Sequence, residues 1–259
     1  MPYIEKRIIS GDLLEVGQYY TTSNGKPIPR REKEKETAKG QEGLNNRNAQ
    51  KRLIRLLNAN FDGRKGDLFV TLTYREAVEE KAARREIKNF VRRVQYYIHK
   101  NHLPELKYIL ITEKQGKWHH HIIMNGLPIE VIAELWGRGR VTVSRLDKTY
   151  YFEDLGRYLI KDHKPPKGEP DAESAKEPRR KFSRRWSGSL NLKQPTVITK
   201  EIKRSAVKTP PAAKKGYTLA DWNSGCDIQG NLYMFCTYIK LEAKPKKPQS
   251  GRRRKRNVL

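Results

Sequence analysis

The run Lys117-Trp118-His119-His120-His121-Ile122-Ile123-Met124 holds three of the six histidines in the chain. Its apolar and aromatic flanks read as a buried strand, in which alternate side chains point to opposite faces. His119 and His121 then share one face and His120 points away. Two imidazoles on one face can chelate a metal, and the bland alternative is a pair of structural histidines serving neighbouring polar groups. A third ligand favours the metal. Tyr108 to Glu113 is a second strand-like run, followed by the polar turn Lys114-Gln115-Gly116-Lys117. A three-residue loop from Gln115 to Lys117 sets Glu113 opposite His119 on the same face. Cys226 and Cys236, the only cysteines, are far from this cluster and lack the close pairing of a zinc knuckle. A site of imidazole and carboxylate with open positions suits Mg²⁺ or Mn²⁺, whose remaining ligands are water and phosphate oxygens. The implied substrate is a phosphate ester.

Charge points the same way. The chain has 55 Lys+Arg against 29 Asp+Glu, a formal net charge of +26. A field of that size attracts a polyanion, with nucleic acid the leading partner and an anionic membrane surface or ribosomal-type RNA as alternatives. No apolar run approaches the length of a spanning helix, and Met1-Pro2-Tyr3-Ile4-Glu5 does not begin a signal peptide. The reading is a soluble cytoplasmic protein without a membrane partner. Two thiols fit a reducing compartment, with a Cys226 to Cys236 link left open.

The elements that must position the histidines follow from periodicity. Asp67 to Tyr74 is rich in β-branched and aromatic residues and reads as a strand. Glu79 to Asn101 reads as a long helix, with Ile87, Phe90, Val91, Val94, Tyr97 and Ile98 on one face and Pro104 beyond its end. The hairpin strands cover about 107 to 113 and 118 to 125. A short helix follows through Ile129, Ile132 and Leu135, then an alternating strand from Arg140 to Leu146, then a helix from Tyr150 to Asp162. The order β-α-β-β-α-β predicts an α+β, ferredoxin-like (RRM-like) antiparallel sheet with its first and third strands central and helices on one face. The histidines then lie on a central strand. Arg140 and Arg145, the basic residues of the fourth strand, are candidates for nucleic-acid contact.

Outside this core, residues 1–60 read as an N-terminal extension packed on it. They hold a hairpin around Ile8 to Leu14, a charged solvated stretch from Arg30 to Gln41, and a helix from Asn45 to Asn58. The core itself spans 61–163. Residues 164–180 are rich in Pro and charge and read as a mobile loop, 181–241 as the C-terminal part of the same domain, and 242–259 as a disordered basic tail. Arg184, Arg185 and Trp186 combine cations with a ring, a mix that can hold phosphate and stack a base, or Trp186 anchors the segment on the core. A strand is expected from Leu232 to Leu241.

The phosphate chemistry could use water or a protein nucleophile, and the helix at 150 to 162 offers a candidate for the second. Tyr158 and Lys161 are three residues apart, so both can address one phosphate, Tyr158 attacking as phenolate and Lys161 offsetting charge on the phosphoryl oxygens. Tyr151 lies seven residues earlier, on nearly the same face of a continuous helix, as a second nucleophile. The alternative is a tyrosine packing with Leu155 and Leu159.

Together these motifs resemble the HUH endonucleases. Phe69-Val70-Thr71-Leu72-Thr73-Tyr74 looks like their first motif, His119-His120-His121 like the metal motif, and Tyr158-Leu159-Ile160-Lys161 like the tyrosine motif. The resemblance covers about residues 67 to 162. Within the superfamily it is particularly similar to rolling-circle replication initiators of phages, plasmids and integrative elements, including the filamentous-phage replication proteins. One departure is His120, where the motif has a hydrophobic residue, which leaves open whether it packs or joins the metal. The resemblance implies a nickase of single-stranded origin DNA that forms a 5′-phosphotyrosine and frees a 3′-OH, working with a host helicase and polymerase. A relaxase or transposase of the same superfamily, and a non-enzymatic RRM-like binder with aromatic residues on its open sheet face, are the alternatives.

Overall fold

The computed structural model describes residues 3–22, 39–63, 66–146, 148–160 and 186–241. In chain order the elements are β1 (Tyr3–Ser10), β2 (Leu13–Tyr20), α1 (Lys39–Asn60), β3 (Leu68–Thr73), α2 (Glu80–Lys100), β4 (Tyr108–Gln115), β5 (Lys117–Met124), α3 (Ile129–Trp136) and β6 (Val141–Arg145). A 3₁₀ turn (Thr149–Phe152) leads into α4 (Glu153–Leu159), and β7 (Ser187–Gly188), β8 (Thr196–Ile202), β9 (Tyr217–Cys226) and β10 (Leu232–Lys240) follow. These elements form two compact units, one drawn from Ile8–Asp12 and Lys26–Val197, the other from Met1–Arg7, Leu13–Gly25 and Ile198–Leu259.

The first unit is built on an antiparallel sheet of order β6-β3-β5-β4-β7. Its four long strands have the predicted ferredoxin-like arrangement, with β3 and β5 central. Periodicity explains why. Strands β3 and β5 alternate large apolar side chains to both faces, and α2 repeats Ala83, Ile87, Phe90, Val94 and Ile98 at three- and four-residue spacing as its buried stripe. That stripe packs with Val70, Leu72, Ile122, Met124 and, from α3, Ile132 and Trp136. Full burial of a side chain such as Phe90 contributes about 1.5–3 kcal/mol. The Trp136 indole donates to the Thr73 carbonyl at 2.9 Å, which ties α3 to the sheet without leaving a buried donor unpaired.

The crossover helices share one face, as expected. The opposite face is also covered. Leu53, Leu56 and Leu57 of α1, with Phe152, Leu159 and Ile160 around α4, enclose a second core with Ile109, Ile111 and Ile123. Strands β4 and β5 carry apolar residues on both faces, and a second helical layer must dry the outer set. Helix α1 begins at Lys39, six positions ahead of the expected start, and runs through Gly40 and Gly43. Extension of a helix already anchored by its leucines needs far less than its nucleation.

The predicted single helix at 150 to 162 is two pieces. Tyr151 (φ 53°) and Phe152 (φ 61°) are both left-handed, a conformation that non-glycine residues seldom adopt. Two interactions hold the break: Asn58 Nδ2 donates to the Tyr151 carbonyl at 2.6 Å, and the Phe152 ring is buried at 1% exposure.

The second unit is a five-stranded sheet of order β8-β1-β2-β10-β9. The expected N-terminal hairpin and final strand are both present, and β10 pairs along β2 from Tyr233↔Tyr19 to Ile239↔Leu13. Gly17 lies beneath the Phe235 ring, where a Cβ would come within 2.9 Å of Cε1. Cys226 and Cys236 are free thiols. No helix among the described residues is long and apolar enough to cross a membrane.

Candidate active site

The β4–β5 hairpin turns at Gly116, whose φ of 70° suits glycine, and the pairing runs to Gln115↔Lys117. This turn is tighter than the expected three-residue loop, but the register is the same because the extra pair is symmetric about Gly116. Glu113 therefore stands opposite His119, and Ile111 opposite His121. Glu113 Oε1 lies 2.8 Å from His119 Nε2 and 2.8 Å from His121 Nε2. The ligand atoms of all three residues fall within 4.8 Å of one another.

The remaining ring nitrogens are held in place. His119 Nδ1–H donates to the Lys117 carbonyl at 3.2 Å, and His121 Nδ1 meets Thr71 Oγ1 at 3.0 Å. Each imidazole thus turns Nε2 toward the carboxylate, the orientation of a metal-ligating histidine with an outer partner. Hydrogen bonding to Glu113, opposed by burial and assisted by the Lys117 carbonyl, raises the His119 pKa. The donor set fits a divalent cation: two imidazole nitrogens and one carboxylate oxygen converge on a common point, with no thiolate nearby.

His120 belongs to the other face. It is fully buried, and its ring lies edge-on to Tyr74 and Trp136. The Tyr74 hydroxyl has one proton and donates it to the Ala83 carbonyl at 3.2 Å. His120 Nε2–H must therefore donate to the Tyr74 oxygen at 2.8 Å, and Thr112 Oγ1–H to His120 Nδ1 at 2.9 Å. Both nitrogens are satisfied in the neutral ring, and burial pushes the pKa down to about 3. His120 packs and is remote from the chelate.

Helix α4 brings Tyr158 to the triad. Its ring centroid lies 5.7 Å from that of His121, edge-on, and Phe69 stacks on His121 at 5.3 Å on the same sheet face. Tyr158 is 48% exposed, so substrate can reach it. Gly156 makes this approach possible, since a Cβ there would overlap Ile54 Cγ1 of α1. Tyr151 is itself part of the left-handed break ahead of α4, with Lys148 Nζ 5.8 Å from its ring centre, so heptad spacing does not carry it to the face of Tyr158.

The expected nucleic-acid contacts separate. The β3–β6 register sets Arg145 opposite Leu68, on the α2 side of the sheet. Arg140, whose carbonyl accepts from Thr73 N–H at 3.0 Å, alternates onto the triad side and is exposed. Trp186 packs against the second core, with Arg52 Cζ 5.9 Å over its ring. Lys161, Arg184, Arg185 and the segments 164–180 and 242–259 lie outside the described residues. Local pattern alone does not mark Thr71 or Phe69 as neighbours of His121; the signal is the pairing of β3 with the histidine strand, which sets Thr71 opposite His121.

Residues 67–164 match the family model of the replication-associated protein ORF2/G2P. The match takes in all four long strands of the first unit, both crossover helices and the tyrosine helix, and supports a replication initiator. No curated protein and no solved structure matches the chain.

Proposed function

We propose that the protein nicks single-stranded origin DNA through Tyr158 and so initiates rolling-circle replication. The observation that carries this reading is Tyr158 packed beside His121, at a triad of two imidazoles and a carboxylate. Glu113, His119 and His121 would hold Mg²⁺ or Mn²⁺, which supplies Lewis-acid polarisation of the scissile phosphate when bound. Thr71 and the Lys117 carbonyl hold the two imidazoles with Nε2 toward the Glu113 carboxylate, the orientation in which they would bind the ion. The Tyr158 phenol oxygen attacks phosphorus and loses its proton, while the bond from phosphorus to the 3′ oxygen breaks and that oxygen gains one. The products are a 5′-phosphotyrosine and a 3′-OH that can prime synthesis by a host polymerase after helicase unwinding. Lys161 offsets charge on the phosphoryl oxygens.

A single nucleophile is supported over a pair because the backbone break precedes α4, leaving Tyr158 on the helix beside His121 and Tyr151 ahead of it. The closed second face also argues against an open RRM-like platform, since α1 and α4 cover the sheet where bases would stack. The test is cleavage of candidate origin oligonucleotides with Mn²⁺. His119→Ala and His121→Ala should each abolish cleavage and retain DNA binding. Full activity in both would refute the metal assignment, and absence of nicking on every origin of the parent element would favour a binding protein.

A further inference from the structure

The outer side of the first unit, across the sheet from the triad, has a second surface that nicking does not use. Between α2 and α3 lies an open groove of about 420 Å³ with an apolar floor, lined by Arg92, Arg93, Tyr96, Tyr97, Lys100 and Leu135. Tyr96 is 69% exposed, unusual for a ring of its size on a helix that buries its whole apolar stripe elsewhere. Arg93 Nε is committed to the Leu135 carbonyl at 2.8 Å, which fixes one wall. Lys88, Arg92 and Lys100 are exposed and have no acidic partner among the described residues.

Lys88, Arg92, Tyr96 and Lys100 follow one another at intervals of four, so they form one ridge, with successive residues about 6 Å apart along the axis. Two exposed cations thus bracket an exposed aromatic ring, and a second tyrosine lies beside them. A solvated helix face needs only the charges; an acidic peptide needs only cations and an apolar floor. A single nucleic-acid strand uses both sets, its phosphates on the cations and its unstacked bases on the rings. A duplex offers phosphates alone, because its bases are stacked inside.

We infer that the α2–α3 groove binds single-stranded DNA, separately from the strand held at the triad. Its chemistry follows from the groove alone, while the identity of the strand as origin or displaced DNA rests on the nicking reading. The test uses the full chain and fluorescence anisotropy with a thirty-nucleotide oligo(dT) and with a duplex of equal length. Tyr96→Ala should weaken oligo(dT) binding by roughly tenfold and leave duplex binding within about twofold. Tyr96→Trp should retain it, which separates stacking from misfolding. Arg92→Glu with Lys100→Glu should lower the slope of log affinity against log salt by about 1.4, near 0.7 for each lost phosphate contact. An oligo(dT) carrying iodouracil should photocrosslink to Tyr96 or Tyr97. Unchanged oligo(dT) affinity in Tyr96→Ala, or equal losses for single strand and duplex, would overturn the inference. Cleavage of an oligonucleotide too short to leave the triad should be normal in these variants, so failure here is distinct from failure of the nicking reading.

Discussion

His120 should make the protein acid-sensitive. Its folded pKa is about 3 against an ordinary 6.5, so the folded state binds this proton less readily than the unfolded chain. The stabilisation by neutral His120 is therefore complete above about pH 6.5 and is lost as pH falls toward 3. Between about pH 7.5 and 5.0 the loss amounts to about 2 kcal/mol, one and a half pH units at 1.36 kcal/mol each. A folded pKa one unit higher barely alters that figure, because pH 5.0 would still lie above it. His120→Leu removes the titration and leaves the Thr112 hydroxyl and the Tyr74 oxygen without their imidazole partner, at a cost of about 1–3 kcal/mol near neutrality. The stability advantage of the wild type over His120→Leu should shrink by about 2 kcal/mol between pH 7.5 and pH 5.0. The assay is urea denaturation of both in the presence of a chelator, where the contribution of the His119–Glu113 pair is common to both and cancels. Parallel pH dependences for the two proteins would refute the buried neutral assignment of His120.

The other expectations concern the site and its support. The raised pKa of His119 means that, without metal, its ion pair with Glu113 stabilises the fold below the unfolded pKa and loses that effect as pH rises through the folded value. Mn²⁺ must displace that proton, so affinity by calorimetry should climb about tenfold per pH unit up to the His119 pKa and then level off; a pH-independent affinity would contradict it. Gly156→Ala should lower stability by about 1–3 kcal/mol by driving a Cβ into Ile54, and Ile54→Ala in the same chain should recover part of the loss. Thr71→Val should weaken metal binding by about tenfold or more through loss of the His121 partner, with secondary structure by circular dichroism intact.

Local periodicity carried the first unit far. The buried stripe of α2, the β-rich strands and the Gly116 turn each encode their own geometry, and the β-α-β-β-α-β order then leaves few topologies. That is why the pairing of Glu113 with His119, and the opposite orientation of His120, are legible in the sequence. The break at Tyr151 and Phe152 could not, because neither residue is a glycine and the strain is held by Asn58, 93 positions away in the chain. The leucines of α1 mark an apolar helix face but not the sheet face that it covers. Pairing of β2 with β10 joins residues more than two hundred positions apart, and no local pattern encodes such a partner.

The most direct measurement is the site of covalent attachment. Protein incubated with a single-stranded origin oligonucleotide and Mn²⁺ is digested with nuclease and trypsin, and the peptide that retains a 5′-linked nucleotide is sequenced by mass spectrometry. The account predicts that the nucleotide is on Tyr158, and that Tyr158→Phe leaves DNA binding intact with no adduct. An adduct on Tyr151 or any other residue, or cleavage by wild-type protein with no adduct at all, would contradict it.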